Sequence, residues 1–460
     1  MGRYFGTDGF RGESNVDLTA DHAYKIGRYL GWYLKKKHQH QSDIYPAKVL
    51  IGKDTRRSGY MLEYSLVGGL TASGCDAYLL HVTTTPCVSF ITRTDEFDCG
   101  IMISASHNPY YDNGIKLFNS SGEKMGEDIT NLIEDYLDSD DISLPFARRE
   151  EIGKTVDYIS GRNRYVGYLI SLGLYSFKGM RIGLDCANGS AWNIARSVFE
   201  ALGATVYQIG AEPNGLNINY MVGSTCTEAI SDFVKEKRLD AGFAYDGDAD
   251  RCLCIDEKGQ LIDGDKILYM SALYLKEKGL LHGDTVVSTV MSNMGLSKAL
   301  SNHGIKNIQT DVGDRFVYER IKKGGYKLGG EQSGHIIFSS YSATGDGILT
   351  SLKIMEIMLA KKAKLSELIS GFREYPQVLL NVPVKDKACM GEYKVRDALK
   401  KAETRLMGEG RVLLRSSGTE PVIRVMVEAE NESLCNETAL ILADEVRKAD
   451  ESRAGLCESV

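Results

Sequence analysis

The fold class of this chain is indicated by one stretch of sequence, Ile101-Met102-Ile103-Ser104-Ala105-Ser106-His107-Asn108-Pro109. Its apolar run ends abruptly in hydroxyls, an imidazole, an amide and a proline, which is typical of a buried strand that leaves a sheet. Open α/β sheets bind ligands beyond the carboxyl ends of their strands, so such a strand would deliver Ser106 to a binding site. A strand that ends in a Pro-terminated turn is also common, and the stretch alone leaves both interpretations open.

Strands and helices are predicted to alternate along most of the chain. The predicted strands lie at 48–52, 76–80, in the run that ends at Ser106, and at 181–185, 204–209, 240–245, 285–290 and 306–310. Helices are predicted between them, and residues 110–116 form a polar turn that would bring Lys116 back toward Ser106. This alternation predicts an α/β fold with mostly parallel sheets and right-handed crossovers.

The length of 460 residues predicts three or four domains, and the points at which this pattern restarts indicate four. We expect α/β domains at 1–150, 151–256 and 257–374, and a smaller α+β domain at 375–460. In each of the four, one polar loop follows a strand, so every domain is expected to supply part of the functional site.

The composition narrows the class of protein. The formal net charge of −7 argues against general affinity for nucleic acid or an anionic membrane. Ten cysteines without a CxxC pair favour reduced thiols over a disulfide framework. The chain also lacks an apolar signal core and any apolar run of about eighteen residues that would span a membrane. We therefore predict a cytoplasmic protein.

The acidic loop Asp246-Gly247-Asp248-Ala249-Asp250-Arg251 is the strongest single signal. Three alternating carboxylates directly after a strand can direct oxygen atoms at one hard cation such as Mg²⁺ or Mn²⁺. An EF-hand also begins with D-x-D-x-D, but its sixth position must be glycine and here is Arg251. A solvated acidic turn is the remaining alternative. The strand that leads into the carboxylates favours a metal site.

Four other loops carry charged and polar groups. Arg11 lies among three glycines, and Arg415–Pro421 combines a guanidinium, three hydroxyls and a glycine, with Arg424 close behind, as a phosphate site would. Gly330–His335 offers a carboxylate, an amide, a hydroxyl and an imidazole that suit sugar hydroxyls. Lys53–Arg57 is most simply a solvated loop, although it could pair with an anion. For the 415–421 loop, an ordinary hairpin turn is about as probable as a phosphate site.

Together, a serine nucleophile, a divalent metal, a hydroxyl-binding loop and a phosphate loop indicate phosphoryl transfer. The sequence contains no G-x-x-x-x-G-K-[ST] loop, which disfavours a P-loop nucleotide enzyme. It also contains no G-x-S-x-G motif for an acyl-transfer serine.

Four of these motifs resemble, in the same order, those of the α-D-phosphohexomutases. They are Ser104–Pro109, Asp246–Arg251, Gly330–His335 and Arg415–Pro421, and the resemblance runs nearly from end to end of the chain. It implies three related α/β domains and a smaller C-terminal α+β domain around one cleft. One departure is Ala249, where many relatives have glycine. This methyl group restricts the loop slightly but removes no ligand.

The resemblance also implies roles for individual residues. Ser106 would carry a phosphoryl group and would bind one Mg²⁺ together with Asp246, Asp248 and Asp250. Positions implicated in proton transfer match His107 and Lys116, and active-site cations match Arg11 and Arg251. Sugar-binding residues match Glu331 and Ser333, with His335 on the same loop. The implied site for the distal phosphate comprises Arg415, Ser416, Ser417, Gly418, Thr419 and Arg424.

The implied activity is that of an isomerase acting on a phosphosugar. Phospho-Ser106 would phosphorylate a hexosamine phosphate, and the bisphosphate would turn and return its other phosphate to the serine. Gln332 favours the branch that converts glucosamine 6-phosphate into glucosamine 1-phosphate for the synthesis of UDP-N-acetylglucosamine, a cell-wall precursor. The alternatives are glucose or mannose phosphate as substrate, a metal-dependent sugar phosphatase, or a catalytically silent sensor. We expect no nucleic-acid or membrane partner, and a monomer or homodimer.

Overall fold

The computed structural model describes residues 2–41, 46–139, 143–406, 408–416 and 421–457. Two compact units are present. The first contains the chain up to Met291 together with Gly304–Ser370, and the second contains Ser292–His303 together with the chain from Gly371 onward.

The first sheet has seven strands in the order β1-β2-β6-β5-β3-β4-β7. They are β1 (Phe5–Gly6), β2 (Gly9–Glu13), β3 (Lys48–Lys53), β4 (Asp76–Val82), β5 (Cys99–Ile103), β6 (Asp112–Asn119) and β7 (Thr155–Asp157). Strands β5, β3, β4 and β7 are parallel, whereas β1, β2 and β6 add an antiparallel edge. The sheet is therefore mixed.

Helices α1 (Ala20–Gln41), α2 (Ser58–Ala72), α3 (Thr85–Thr94) and α4 (Glu127–Asp138) accompany this sheet. Helices α1 and α2 touch backbone to backbone, because a Cβ on Gly69 would lie 2.2 Å from the Tyr24 carbonyl oxygen. Their buried leucines and isoleucines join those of β3 and β5 in one core. Burial of this apolar surface holds the sheet in place and leaves the loops at its carboxyl edge to carry polar groups.

The second sheet has the order β12-β11-β10-β8-β9. Its strands are β8 (Arg181–Asp185), β9 (Thr205–Ile209), β10 (Ala241–Tyr245), β11 (Cys252–Ile255) and β12 (Leu261–Ile262). Its helices are α5 (Ile159–Ser171), α6 (Ala191–Ala201) and α7 (Glu228–Lys237). Strands β10, β8 and the edge strand β9 are parallel to one another, and the acidic loop leaves the carboxyl end of β10.

The third sheet has the order β14-β13-β15-β16. Its strands are β13 (Thr285–Thr289), β14 (Lys306–Thr310), β15 (Leu328–Gly330) and β16 (Ile336–Phe338). The helices in this part of the chain are α8 (Gly264–Glu277), α9 (Met294–Asn302), α10 (Asp314–Gly324), α11 (Gly347–Lys361) and α12 (Leu365–Leu368). Of these, α9 belongs to the second unit. The loop between β15 and β16 is the predicted sugar-binding loop.

The second unit contains an antiparallel sheet in the order β17-β19-β18. Its strands are β17 (Gln377–Pro383), β18 (Gly410–Ser416) and β19 (Val422–Ala429), and its helices are α13 (Tyr393–Leu406) and α14 (Glu432–Cys457). Alternate residues of β19, such as Val425 and Val427, are buried in the same core as Leu442 and Val446 of α14. Met426 and Glu428, on the opposite face of β19, are also buried, so this central strand is covered on both faces.

The predicted α/β architecture with a smaller α+β unit at the C-terminus is confirmed. Two details differ. In the expected polar turn at 110–116, residues 112–116 instead belong to the antiparallel strand β6, and the glycine-rich opening loop is the β1–β2 hairpin. The boundaries that we expected for the four domains stay predictions. No helix in the described part of the chain combines the length and the apolar character needed to span a membrane.

Candidate active site

Ser106 lies just beyond the carboxyl end of β5, as its position in the sequence predicts. Its hydroxyl donates a hydrogen bond of 2.5 Å to Asp246 Oδ2, and its Oγ lies 3.3 Å from His107 Nδ1. Its backbone has a φ of 53°, in the left-handed region that a serine rarely adopts. The Ser104 hydroxyl accepts a hydrogen bond of 2.9 Å from the Ser106 amide, and this bond supports the tight turn. Such a constrained turn fixes the direction in which the Ser106 hydroxyl points.

Two side chains hold the backbone of this serine loop. Arg56 donates to the carbonyl oxygens of Ser106 and Asn108 at 3.0 and 2.9 Å, and also to those of Pro109 and Asp112. Asn219, from the loop after β9, donates to the Ser106 and Asn108 carbonyls at 2.9 Å each. We call Arg56 and Asn219 the carbonyl clamp. Because it fixes the carbonyl of Ser106 itself and that of Asn108 two residues later, it restricts the direction of the Ser106 side chain.

Asp54 orients the larger member of the clamp. Its carboxylate accepts hydrogen bonds from Arg56 Nε at 2.9 Å and from the Ser104 hydroxyl at 2.7 Å. Both Asp54 and Arg56 are fully buried. The interpretation of Lys53–Arg57 as a solvated loop is therefore wrong. The loop follows β3, the parallel neighbour of β5, and its carboxylate and guanidinium serve the serine loop from that position.

The acidic loop packs directly against the serine loop. A Cβ on Gly247 would lie 2.5 Å from the Ser106 carbonyl oxygen, so only glycine permits this approach. Ala249 has a φ of 56°, which explains why glycine would also suit this position. The carboxylates of Asp246, Asp248 and Asp250 are buried, and one oxygen of each lies within 4.8 Å of the others. The predicted convergence of the three carboxylates is thus present.

This cluster has the chemistry of a divalent cation site. Asp248 Oδ1 and Asp250 Oδ1 are buried and have no hydrogen-bond partner among the described residues. Burial, together with the charges of Asp250 and Asp248, raises the pKa of Asp246 well above its usual range. A hard cation bound by carboxylate oxygens would neutralise this repulsion. The three aspartates could therefore hold a metal ion, with the Ser106 hydroxyl beside them.

Lys116 projects from β6 into the same cluster. Its ammonium group lies 2.8 Å from Asp248 Oδ2, 3.0 Å from Asp250 Oδ2 and 3.1 Å from Asp8 Oδ2, and the side chain is only 2% exposed. Burial opposes its charge, but the three carboxylates outweigh burial and raise the pKa of Lys116 well above its usual range. The side chain is therefore a cation at neutral pH.

His107 differs from Lys116 in its protonation state. Burial and the nearby guanidinium groups of Arg251 and Arg11 lower the pKa of His107 to about 4. At neutral pH its imidazole is uncharged and has a lone pair that can accept a proton. The two positions implicated in proton transfer thus start from different protonation states.

Arg11 and Arg251 bring two guanidinium groups to the site. Arg11 lies on β2 and forms an ion pair with Asp8. Arg251 follows the acidic loop, and its amide donates to Asp246 Oδ1 at 3.1 Å. The buried Nε of each arginine has no hydrogen-bond partner within the described ranges. Guanidinium groups with unused donors beside a serine are suited to bind a phosphoryl group.

The predicted sugar-binding loop joins β15 and β16. Glu331 Oε1 accepts a hydrogen bond of 3.1 Å from the Gly313 amide, and His335 Nε2 accepts one of 2.9 Å from the Gly345 amide. His335 is buried, whereas Ser333 is exposed on the same loop. Burial raises the pKa of Glu331, although His335 opposes the shift.

Comparison with known proteins assigns the family. Sequence models of domains I, II, III and IV, each described as phosphoglucomutase/phosphomannomutase, match residues 2–143, 163–259, 263–375 and 379–445. A phosphoglucosamine mutase of Lachnospira eligens is 60% identical over 436 residues, which are 95% of this chain and 96% of that protein. A phosphoglucosamine mutase of Bacillus subtilis is 47% identical over 448 residues, which are 97% and 99% of the two chains. The chain belongs to this family, the α-D-phosphohexomutases.

Solved structures agree with this assignment at the level of the fold. A phosphoglucomutase/phosphomannomutase family protein of Burkholderia thailandensis has a TM-score of 0.79 at 24% identity and covers 98% of both chains. The N-acetylphosphoglucosamine mutase of Aspergillus fumigatus, solved with GlcNAc-6P and magnesium, has a TM-score of 0.68 at 17% identity. That alignment covers 97% of this phosphohexomutase and 96% of the fungal chain.

The predicted phosphate loop of this phosphohexomutase lies in the second unit. Arg415 on β18 and Arg424 on β19 are direct cross-strand partners, and Ser416 is the last residue of β18. Burial and the charge of Arg424 lower the pKa of Arg415. Like charges at opposed positions repel each other unless an anion lies between them, so the pair is suited to bind a phosphate. The three remaining predicted members, Ser417, Gly418 and Thr419, lie outside the described residues.

The sequence interpretation missed several residues of this phosphohexomutase site. They are Asp8, Asp54, Arg56, Thr85, Asn219, Lys124 and Asp314. Thr85, the first residue of α3, donates its hydroxyl to Asp248 Oδ2. Only Asp54 and Arg56 had a usable signal, since charged residues directly after a buried parallel strand mark the ligand-binding edge of an α/β sheet. The others lie in loops or at helix starts, and their side-chain contacts in the site leave no local pattern in the sequence.

Proposed function

We propose that this phosphohexomutase interconverts glucosamine 6-phosphate and glucosamine 1-phosphate through phospho-Ser106. The observation that carries the proposal is the contact of 2.5 Å between Ser106 Oγ and Asp246, inside a cluster of carboxylates and arginines. Relatives that are 47–60% identical over nearly their whole length bear the name phosphoglucosamine mutase, which supports the amino sugar as substrate.

Each turnover would consist of two phosphoryl transfers. A sugar hydroxyl attacks the phosphorus of phospho-Ser106, so that a new P–O bond forms to the sugar while the bond to Ser106 Oγ breaks. The hydroxyl proton passes to a base, and the freed serine oxygen is reprotonated. The resulting glucosamine bisphosphate turns around, and Ser106 Oγ attacks its other phosphate. This second transfer restores phospho-Ser106 and releases the isomerised sugar phosphate.

The protonation states of the site support this scheme. His107 is neutral at pH 7 and lies 3.3 Å from Ser106 Oγ, where it could exchange a proton with the serine. Lys116 keeps its charge and would stabilise negative charge that develops on the phosphoryl oxygens. Arg11 and Arg251 would hold the same oxygens through their unused Nε donors.

The substrate is tested by comparing kcat/KM for the 1-phosphates of glucosamine, glucose and mannose. We expect glucosamine 1-phosphate to be preferred by at least about tenfold, because a site built for one polar substituent rejects an analogue that lacks it. A preference for glucose or mannose phosphate would move the enzyme to another branch of the same family.

We infer that the metal is one Mg²⁺, bound by Asp246, Asp248, Asp250 and an oxygen of Ser106. When bound, it would neutralise charge on the phosphoryl group and orient it for in-line transfer. Replacing Asp246 with asparagine removes one anionic ligand, and we expect the affinity for Mg²⁺ to fall by at least about 100-fold.

Calorimetric titration of the purified protein with Mg²⁺ measures this change. The exposed Asp232→Asn on α7 removes the same charge away from the site and serves as the matched control. Equal Mg²⁺ affinity in wild type and Asp246→Asn would show that the cluster does not bind the metal. The predicted cytoplasmic location and the predicted monomer or homodimer stay predictions.

A further inference from the structure

Six ionisable side chains close into a ring that joins the loops of all three sheets of the first unit. In order around the ring, they are Asp8, Lys116, Asp250, His335, Asp314 and Lys124. The six successive distances between side-chain nitrogen and oxygen atoms are 3.1, 3.0, 3.8, 3.3, 2.7 and 2.7 Å. We call this set the ionic ring. Half of it consists of predicted site residues, namely the catalytic Lys116, the metal ligand Asp250 and the sugar-binding His335, whereas Lys124 has no role in the proposed reaction.

Lys124 is held from all sides in this ring. It follows β6, and its ammonium group donates to Asp8 Oδ1 and Asp314 Oδ1 at 2.7 Å each and to the Thr7 carbonyl at 3.2 Å. These three acceptors use the full set of donors on an ammonium group. The side chain is 19% exposed, so little water is available to replace a lost contact. The geometry is that of a structural cation rather than a mobile surface lysine.

The two carboxylates that Lys124 binds contact two different parts of the site. Asp8 also pairs with Arg11 and Lys116, two cations of the predicted phosphoryl-transfer site. Asp314 is the first residue of α10, and its Oδ2 lies 3.3 Å from His335 Nε2. The amide of Gly313, immediately before Asp314, donates to Glu331. Lys124 thus connects the transfer groups with the loop that holds the sugar.

We propose that Lys124 is a positioning residue that sets the sugar-binding loop at the correct distance from Ser106 and its cations. This inference rests on the proposed function, since it assigns Lys124 to substrate alignment in that reaction. Removing the ammonium group leaves Asp8 and Asp314 as two neighbouring carboxylates with less compensation. Their repulsion would shift the start of α10 and, with it, the Gly313 amide that holds Glu331. Small displacements of a positioned group are costly in catalysis.

A neighbouring ion pair provides a control for this role. It joins the same two segments, the one that follows β6 and helix α10, and so reports on general stabilisation of their contact. Lys322 on α10 contacts both carboxylate oxygens of Glu123 at 2.8 Å, and Glu123 precedes Lys124 in the chain. The Lys322 side chain is 62% exposed, and its described contacts do not include a member of the ionic ring. Lys322→Met therefore removes a cation between the same two segments without touching the route to Glu331.

The test compares Lys124→Met and Lys322→Met by steady-state kinetics on glucosamine 1-phosphate, with melting temperatures recorded for both. We expect kcat/KM to fall about 30-fold in Lys124→Met, mainly through a higher KM, and to change by less than about twofold in Lys322→Met. Phosphorylation of Ser106, measured by intact mass, should be unchanged in both variants. Equal kinetic effects of the two substitutions, or wild-type kinetics in Lys124→Met, would overturn the proposal.

A double-mutant cycle with Glu331→Gln tests the route itself. If Lys124 acts through Glu331, adding Lys124→Met to Glu331→Gln should lower kcat/KM by less than about threefold further, whereas independent effects would multiply. Multiplicative effects would overturn the proposed route. If Lys124→Met does not fold, Asp314→Asn takes its place with the same expected results. A wild-type protein without mutase activity would instead refute the proposed function, so the two failures are distinguishable.

Discussion

Replacing Ser106 with alanine is expected to lower mutase activity by at least about 10⁴-fold, because the group that carries the phosphoryl between the two sugar positions is lost. The nearby Ser104 cannot take its place. The Ser104 hydroxyl is buried, donates to Asp54 at 2.7 Å and accepts the Ser106 amide at 2.9 Å, so it is committed to holding the loop. The rate at which glucosamine 6-phosphate is converted into glucosamine 1-phosphate, followed in a coupled enzyme assay, measures this loss.

The matched control for Ser106→Ala is Ser120→Ala, at an exposed position just beyond the end of β6. It removes the same hydroxyl from another loop that follows a strand of the first sheet, and it should leave the rate and the melting temperature unchanged. Ser106→Ala should also melt close to the wild type, since alanine keeps the same backbone with φ of 53° and the change removes one hydrogen bond without opening a cavity. Activity of the folded Ser106→Ala variant within tenfold of wild type would contradict the proposed mechanism.

Replacing Arg56 with methionine should have the second largest effect, although this residue has no assigned part in the chemistry. The substitution removes the donors to the Ser106, Asn108, Pro109 and Asp112 carbonyls at once. It also leaves the buried Asp54 carboxylate without its cation. Breaking a buried pair from one side costs about 3–5 kcal/mol of the free energy of unfolding. We expect kcat/KM to fall by about 100-fold even at temperatures where the variant is folded, because Ser106 loses its fixed direction.

Two further variants sharpen the Arg56 experiment. Arg57→Met removes the exposed neighbouring guanidinium. It should leave the free energy of unfolding unchanged and kcat/KM within about twofold of wild type. Arg56→Lys retains the charge for Asp54 but cannot reach four carbonyls with one ammonium group, so it should recover stability more than activity. Urea unfolding and steady-state kinetics provide the two readouts. A folded Arg56→Met enzyme with wild-type kcat/KM would show that the carbonyl clamp does not position Ser106.

The parallel part of the fold could be predicted from sequence because its strands are covered on both faces. The runs at 48–53, 99–103 and 241–245 are buried along nearly their whole length, so each appears as continuous apolar sequence with a polar loop at its end. The strand Arg181–Asp185 was predicted with the bounds that it has. The same rule placed Ser106 and the three aspartates at the carboxyl ends of β5 and β10, in the first and second sheets, since carboxyl ends of parallel strands carry the ligand site.

The antiparallel edge could not be predicted in this way. Strand β6 contains buried Asn113 and Lys116, which interrupt the apolar pattern that a strand would otherwise show. These polar side chains are buried because they belong to the active site. They interrupt the apolar pattern by which a buried strand is recognised in a sequence. The partners of Lys124 and Arg56 were equally hidden. Lys124 meets Asp314 across 190 residues, and Arg56 meets the Ser106 carbonyl across 50, and no local spacing records such contacts.

The role of Ser106 as phosphate carrier is tested by following the phosphoryl group itself. Protein labelled with radioactive phosphate, confirmed on Ser106 by peptide mass spectrometry, is mixed with unlabelled glucosamine 6-phosphate and quenched over a single turnover. We predict that label leaves the protein and appears first in glucosamine bisphosphate and then in the isomerised sugar phosphate. Label that stays on the protein while sugar is isomerised, or that is released as inorganic phosphate without isomerised sugar, would contradict the proposed mechanism.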